Sequence, residues 1–421
     1  LGAAPVEIIP GKFTSVIGFN GSTPGPTIRA RTGRTAVVTH YNGLPNTTLG
    51  GATGSCTIHL HGAHVPAVDD GYPTNWIRPG TRRTYTYPNN QLSTMLWYHD
   101  HTMDDTGPHV WYGMAGLYLL SDDFEDSLGL PSGNYEVPLV IQDRNFDANG
   151  QLVYTRNRMN GETGDTILVN GVIQPYFNVA KRKYRLRILN GSNARFYTLA
   201  FSNGQSFQVI GMEGGLLSKP VTVTSLRLAP AERADIVVSF SGISVGSNVA
   251  LVNTAVSSTT STYNIMRFNV TGTASDNSVV PANLRPFTKL NPADAVANRS
   301  FTVSMMGGMS NPMWVFNGLG FDPNRIDAQP KLGTTEIWSF TNMSMMDHPI
   351  HMHDNMFQIL DINGTPPPAT HAGWKDTVIV PPMGTARVIK KFEDYTGLYM
   401  FHCHMLEHED YMLMSQFKVV P

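Results

Sequence analysis

Ten of the 14 histidines in this 421-residue chain fall into four tight groups: His59/His61, His99/His101, His348/His351/His353 and His402/His404/His408. Each group contains a His-X-His step. On a strand, residues i and i+2 point to one face, so each step presents two imidazoles side by side, eight in all. Two early pairs facing two late pairs would close around several metal ions, which ties both ends of the chain to one site. Imidazole suits copper, zinc, iron and nickel. Eight neutral nitrogens without a carboxylate disfavour magnesium and calcium, and also the two-histidine-one-carboxylate iron pattern. A lone His-X-His is ordinarily a surface or satisfied core feature; four of them, one bracketing a cysteine, are not.

The triplet His402-Cys403-His404 says more. If its two histidines point one way, Cys403 points the other and can meet a second site, with His408 five residues on and His348 from the neighbouring segment. Two histidines, a thiolate and a weak axial position make the blue-copper arrangement used for electron transfer. The peptide bonds around Cys403 would join the two sites by a short covalent path. Zinc is the rival, but structural zinc sites take four ligands and favour cysteine.

Short β-rich segments dominate the rest: Thr35–Tyr41, Lys183–Leu189, Ala234–Phe240 and Thr335–Phe340, each bounded by Gly, Pro or Asn. Only a turn or two near Asp122–Leu130 reads as helix. With 39 Gly, 28 Pro and 15% charged residues, the chain reads as all-β, in sandwiches or barrels. A net charge of -2 argues against a nucleic-acid partner. No apolar run approaches the roughly 18 residues of a membrane span. Three strands end in asparagine, at Asn42, Asn190 and Asn342, spaced 148 and 152 residues apart. A repeat of that length gives three similar β units, with Ser127–Gly133 and Gly272–Asn283 as linkers.

The motifs HLHG (59–62), WYHDH (97–101), HPIHMH (348–353) and HCHMLEHED (402–410) resemble the four signature motifs of the multicopper oxidases, in their order. The resemblance spans the chain, including TPGPTIRA, LNGSNARFY and APAERADIVV. It is closest to three-domain bacterial laccases of the spore-coat kind and to periplasmic cuprous oxidases. It implies three cupredoxin-like Greek-key domains, at 1–125, 126–280 and 281–421, and four copper ions. Type 1 copper would take His348, Cys403 and His408, and type 2 copper His59 and His351. The type 3 pair would take His61, His99 and His402 on one ion and His101, His353 and His404 on the other. The middle domain would be empty, with Phe196, Leu199 and Phe201 at the places of His348, His351 and His353 when counted from the repeat asparagine. At the axial position, five residues after His408, where bacterial relatives usually carry Met, an ungapped reading places a non-coordinating Leu413, and a one-residue shift would bring in Met412 or Met414 instead. Asp70 and Glu409 match acidic residues that the family uses for proton delivery to oxygen.

The implied activity is laccase-like: one-electron oxidation of small aromatic reductants at type 1 copper, coupled to reduction of O2 to water. The alternatives are a metallo-oxidase acting on Cu(I) and a copper-binding structural protein. Full retention of the ligands argues against the last. Copper nitrite reductases also use cupredoxin domains but normally lack the third domain and the HCH triplet. Fourteen of the 20 methionines lie between Met305 and Met414. Soft thioethers bind Cu(I), and Met345 and Met346, beside His348, are the candidates for such a contact, although the long Met-rich insertion of cuprous oxidases is missing. With Cys403 on copper, Cys56 is left as a free buried thiol. No signal peptide is legible after Leu1: either none exists or it was removed, as in a mature exported chain or a trimmed one, and the expected location is secreted, periplasmic or on a spore coat. One chain carries both early and late ligands, so a monomer is expected.

Overall fold

The computed structural model describes residues 1–308 and 311–421, so that Met309 of the C-terminal methionines lies outside the described residues. Strands hold 48% of the structure and helices 7%, which makes it all-β. The expected strands lie at Ala36–Tyr41, Lys183–Asn190, Arg233–Ser239 and Thr335–Asn342. The expected helical turn is Asp123–Ser127, capped by the Asp122 carboxylate, which accepts from the Glu125 amide at 2.8 Å. Two further helices, Thr106–Trp111 and Leu406–Asp410, are too short to leave a periodic apolar pattern in the sequence. Among the described residues no helix is long and apolar enough to cross a membrane.

Three β units follow one another, each around its own apolar core. Leu60, Tyr85 and Trp111 belong to the first, Leu186, Phe240 and Phe268 to the second, Trp338, Phe401 and Phe417 to the third. Two four-stranded sheets position the histidines. In the first unit the order is Gly25–Arg31, Ala115–Ser121, Thr94–Asp100, Ile58–His61; in the third it is Thr377–Val380, His348–Met352, Gly397–Cys403, Met414–Val419.

The asparagine repeat is structural. All three asparagines are buried, at 0–1% exposure, and make the same bonds. Each side-chain carbonyl accepts from the amide two residues on: Leu44 at 2.9 Å, Ser192 at 3.1 Å and Ser344 at 2.9 Å. Each side-chain amide donates to a carbonyl of the following loop and to one on a returning segment, Ile77, Leu228 or Val380. Those three carbonyls calibrate the repeat, because Cys56, Tyr197 and His348 pair with Ile77, Leu228 and Val380. Counting onward, His59 and His61 stand where His351 and His353 stand. In the middle unit the places of His348, His351 and His353 belong to Tyr197, Ala200 and Ser202, not to Phe196, Leu199 and Phe201 as counted from the asparagine. The turn after Asn190 is one residue longer: its side-chain amide reaches the carbonyl five residues on, at Arg195, whereas Asn342 reaches only four, to Met346. Ser192 Oγ meets Tyr197 Oη at 2.9 Å as Ser344 Oγ meets His348 Nε2 at 3.0 Å, which fixes the same equivalence.

Candidate metal centres

Strand parity sorts the late histidines. Along His348–Met352, His348 and Ile350 share one face and His351 the other. The antiparallel register sets Ile350 opposite Cys403 and His351 opposite His402. His348 and Cys403 therefore turn to one side of the sheet, and His351 and His402 to the other. In the first unit His59 lies opposite His99.

The two sheets bring these faces together. The rings of His59 and His353 stack at 3.9 Å between centroids, and those of His61 and His351 at 3.7 Å. The Nε2 atoms of His101, His353 and His402 form a triangle with sides of 3.1–3.2 Å. His404 lies against His61 and His99, at 4.9 and 5.4 Å between ring centroids. This reverses the expected division of the HCH histidines: His402 groups with His101 and His353, and His404 with His61 and His99. The register is the reason. The His353 amide bonds to the Met400 carbonyl, His351 faces His402, and the His404 amide bonds to the Pro349 carbonyl. His402 is thus one step from His353 along the sheet, and His404 is displaced the other way.

Most outer nitrogens are held, and several inner ones have no partner. His59, His99 and His351 present Nδ1 to the carbonyls of Asp70, Asp100 and Asp376 at 2.6, 2.7 and 2.8 Å. His353 Nδ1 meets Asp70 Oδ2 at 2.7 Å, and His402 Nδ1 meets Glu409 Oε2 at 3.0 Å. His61 is turned over: its Nε2 meets Asp376 Oδ1 at 3.1 Å. The opposite atoms, Nε2 of His59, His99 and His351 and Nδ1 of His61, are buried with no hydrogen-bond partner, as are both nitrogens of His404. Burial, reinforced by the neighbouring histidines, holds His59, His351, His353 and His404 well below the ordinary imidazole value. Neutral imidazole with one nitrogen anchored and the other turned inward is the form that binds a metal.

The carboxylates differ in state. Burial, with Asp354 adding, pushes the Asp70 carboxyl well above its usual value. Burial would raise Glu409 too, but His402 and His101 hold it well below the usual range. Asp70 beside His353 is thus shifted toward its protonated form and Glu409 toward its carboxylate, to which Thr106 Oγ1 donates at 3.1 Å. Next to it, the Asp410 carboxylate accepts from the Thr106 and Gly107 amides at 2.9 and 2.8 Å, closing the third unit onto a helix of the first.

On the other face, Cys403 Sγ lies 3.6 Å from His348 Nδ1 and 3.8 Å from His408 Nδ1, and the two nitrogens are 3.4 Å apart. His408 Nε2 donates to the Met159 carbonyl at 3.2 Å. Trp314 packs against both rings, at 4.8 Å from each. All three donors are buried. Leu413 belongs to the same apolar cluster as Cys403, whereas Met412 and Met414 turn into another, with Phe321 and Met400. Met345 is 83% exposed, and Met346 is half-buried against the core. Cys56 is buried and unpaired.

Several contributors leave no trace in the sequence. Asp376 and Arg233 are a single acid and a single base 143 positions apart, and Met159, Ser344 and Trp314 sit in no motif. APAERADIVV, which contains Arg233, was legible only as part of a resemblance.

Family models described as multicopper oxidase match residues 3–124, 137–274 and 293–421. The chain is 36% identical to a laccase of Bacillus subtilis, covering 95% of this chain and 89% of the relative. The chain is a multicopper oxidase. Among solved structures it superposes on the McoA multicopper oxidase of Aquifex aeolicus with a TM-score of 0.90 at 34% identity, covering 100% of this chain and 95% of that one. It also superposes on a multicopper oxidase of Campylobacter jejuni described as a metallo-oxidase, with a TM-score of 0.86 at 28% identity, over 99% and 89%. The family binds four copper ions of types 1, 2 and 3. The donor set of this oxidase fits them: a thiol with two imidazoles on one face, and eight imidazoles on the other, five of which have an inward nitrogen without a partner while the other three face one another.

Proposed function

We propose that this multicopper oxidase is a laccase that takes electrons from small phenols or aromatic amines. Cys403, His348 and His408 would hold type 1 copper, and His59 and His351 type 2. His61, His99 and His404 would hold one type 3 ion and His101, His353 and His402 the other. Bound there, copper supplies a one-electron acceptor at the thiolate and a centre for O2 reduction among the eight imidazoles. Leu413 offers no lone pair, and a weaker axial contact favours a high type 1 potential, which suits phenols as reductants. The peptide bonds from Cys403 to His402 and His404 join the two donor sets. One chain carries every donor, so a monomer is complete.

Asp70 and Glu409 are read as the proton-delivery residues: Asp70, pushed up by burial, can act as a general acid, and Glu409, held as a carboxylate beside His402 and His101, can accept a proton and pass it on. Asp70→Asn and Glu409→Gln should each slow oxygen consumption by about 10²–10⁴-fold while the blue absorption stays. Oxygen electrode traces beside absorption spectra check this; unchanged turnover removes the role.

The single observation that carries the laccase reading is the apolar axial position. A second reading, oxidation of Cu(I), is favoured by the open thioethers of Met343, Met345 and Met383, 55%, 83% and 59% exposed. The Met383 amide bonds to the Ser344 carbonyl, which keeps these residues close to His348. Oxygen uptake by copper-loaded protein, run in parallel with a dimethoxyphenol and with a stabilised Cu(I) salt, separates the two. Strong uptake with the phenol is expected. Strong uptake with Cu(I) and weak uptake with the phenol would turn the assignment to a metallo-oxidase.

A further inference from the structure

Arg233 belongs to the middle unit, yet its guanidinium reaches both others. Nε donates to the Met95 carbonyl of the first unit at 2.9 Å, and Nη1 and Nη2 donate to Asp376 Oδ1 and Oδ2 of the third at 3.0 and 2.6 Å. Nη1 also donates to the Ala231 carbonyl at 3.0 Å. The pair is fully enclosed, Arg233 at 0% and Asp376 at 1% exposure. Asp376 in turn touches two histidines of the cage. Its Oδ1 accepts from His61 Nε2 at 3.1 Å and from Thr377 Oγ1 at 2.9 Å, and its backbone carbonyl accepts from His351 Nδ1 at 2.8 Å.

His61 departs from the pattern of its neighbours. His59, His99 and His351 leave Nε2 free, whereas His61 leaves Nδ1 free. The Asp376 carboxylate is what holds its Nε2–H outward. The residue after His61 shows how closely this pair is built in. A side chain at Gly62, φ +83, would put a Cβ 2.6 Å from both Arg233 Nη2 and Asp376 Oδ2. Only the planar fork of arginine spans both carboxylate oxygens and two backbone carbonyls at once.

We infer that Arg233 is a positioning residue for the trinuclear centre: by clamping Asp376 it fixes the tautomer of His61 and the carbonyl that orients His351. The middle unit, which offers no ligand of its own, is then a working part of the copper cluster. This rests on the reading that the histidine cage holds copper.

The test compares copper-loaded parent, Arg233→Lys, Asp376→Asn and Thr377→Val. Copper per chain, the type 2 EPR signal and the blue thiolate–copper absorption are the readouts. Arg233→Lys and Asp376→Asn should keep the blue absorption and lose the type 2 signal, with cluster copper held about 10–100-fold more weakly against a chelator. Thr377→Val keeps the side-chain shape and removes one hydrogen bond from Asp376. It should show the same selective loss in smaller measure, and it decides the matter if the other two variants do not fold. Parent copper content and an unchanged type 2 signal in the folded variants would overturn the inference. So would loss of both centres in equal proportion, which is what a merely structural role predicts. A parent protein with no type 2 signal would overturn the copper assignment itself, a separate failure.

Discussion

Cys403→Ser is expected to give a folded, colourless protein whose oxygen consumption falls to background. Sulfur is the one soft donor in its set, facing His348 and His408 across 3.6 and 3.8 Å. A hydroxyl there is hard, stays protonated and gives no thiolate charge transfer. The variant also buries a hydroxyl among Ile350, Phe401 and Leu413, which costs about 1–3 kcal/mol. Absorption spectra and oxygen uptake check the first effect, and thermal unfolding of the metal-free protein checks the second. Residual blue colour would move the type 1 site elsewhere. Burial pushes the Cys403 thiol well above its usual value in the metal-free protein, so copper uptake there must release a proton and should quicken as pH rises.

Lys375→Met is expected to lower the stability of the metal-free protein by about 3–5 kcal/mol. Lys375 Nζ lies between Glu213 Oε2 at 2.8 Å and Glu232 Oε1 at 2.5 Å, and all three side chains have no exposed surface. One cation serves two anions. Burial, with Glu232 adding, pushes Glu213 up to about 7 from 4.5 although Lys375 opposes it. Lys375, against burial, holds Glu232 at about 2. The folded parent thus keeps a proton on Glu213 that the unfolded chain releases, and this contribution fades as pH rises from about 4.5 to about 7. The Glu232 contribution is present above about 4.5 and is lost as pH falls toward 2. Without the lysine both carboxyls must stay neutral, so the loss should be larger at about pH 8 than at about pH 5. Denaturant midpoints at the two pH values measure it; equal losses would show that the charge pairing is not what the lysine contributes.

How far the sequence reaches depends on what each step needs. The histidine groups were legible because metal chemistry draws on a scarce residue type and strand geometry imposes a spacing of two. Parity correctly separated Cys403 from its two neighbours. It could not say which of His402 and His404 lies nearer His353, since both point the same way and only the antiparallel register orders them. The place of Tyr197 was missed by one residue because turn length varies between repeats while strand pairing does not. Asp376 and Arg233 were beyond reach for another reason: a buried ion pair between domains has no local pattern, and its two halves look like any other Asp and Arg. Leu413 was legible as a departure from the resembled family, and its packing beside Cys403 follows from strand alternation, which turns Met414 away.

The asparagine frame has a consequence for where the copper sites reside. Cys56, Tyr197 and His348 occupy one and the same position in three copies of a mould, a thiol, a phenol and an imidazole in turn. The mould closes equally well over each, so it does not choose its occupant. What would make the third casting a redox site is the partner that returns beside it: the strand ending in Cys403 and the short helix that carries His408. On that reading, the capacity for electron transfer would be a property of an encounter between two segments, since neither alone holds all three donors.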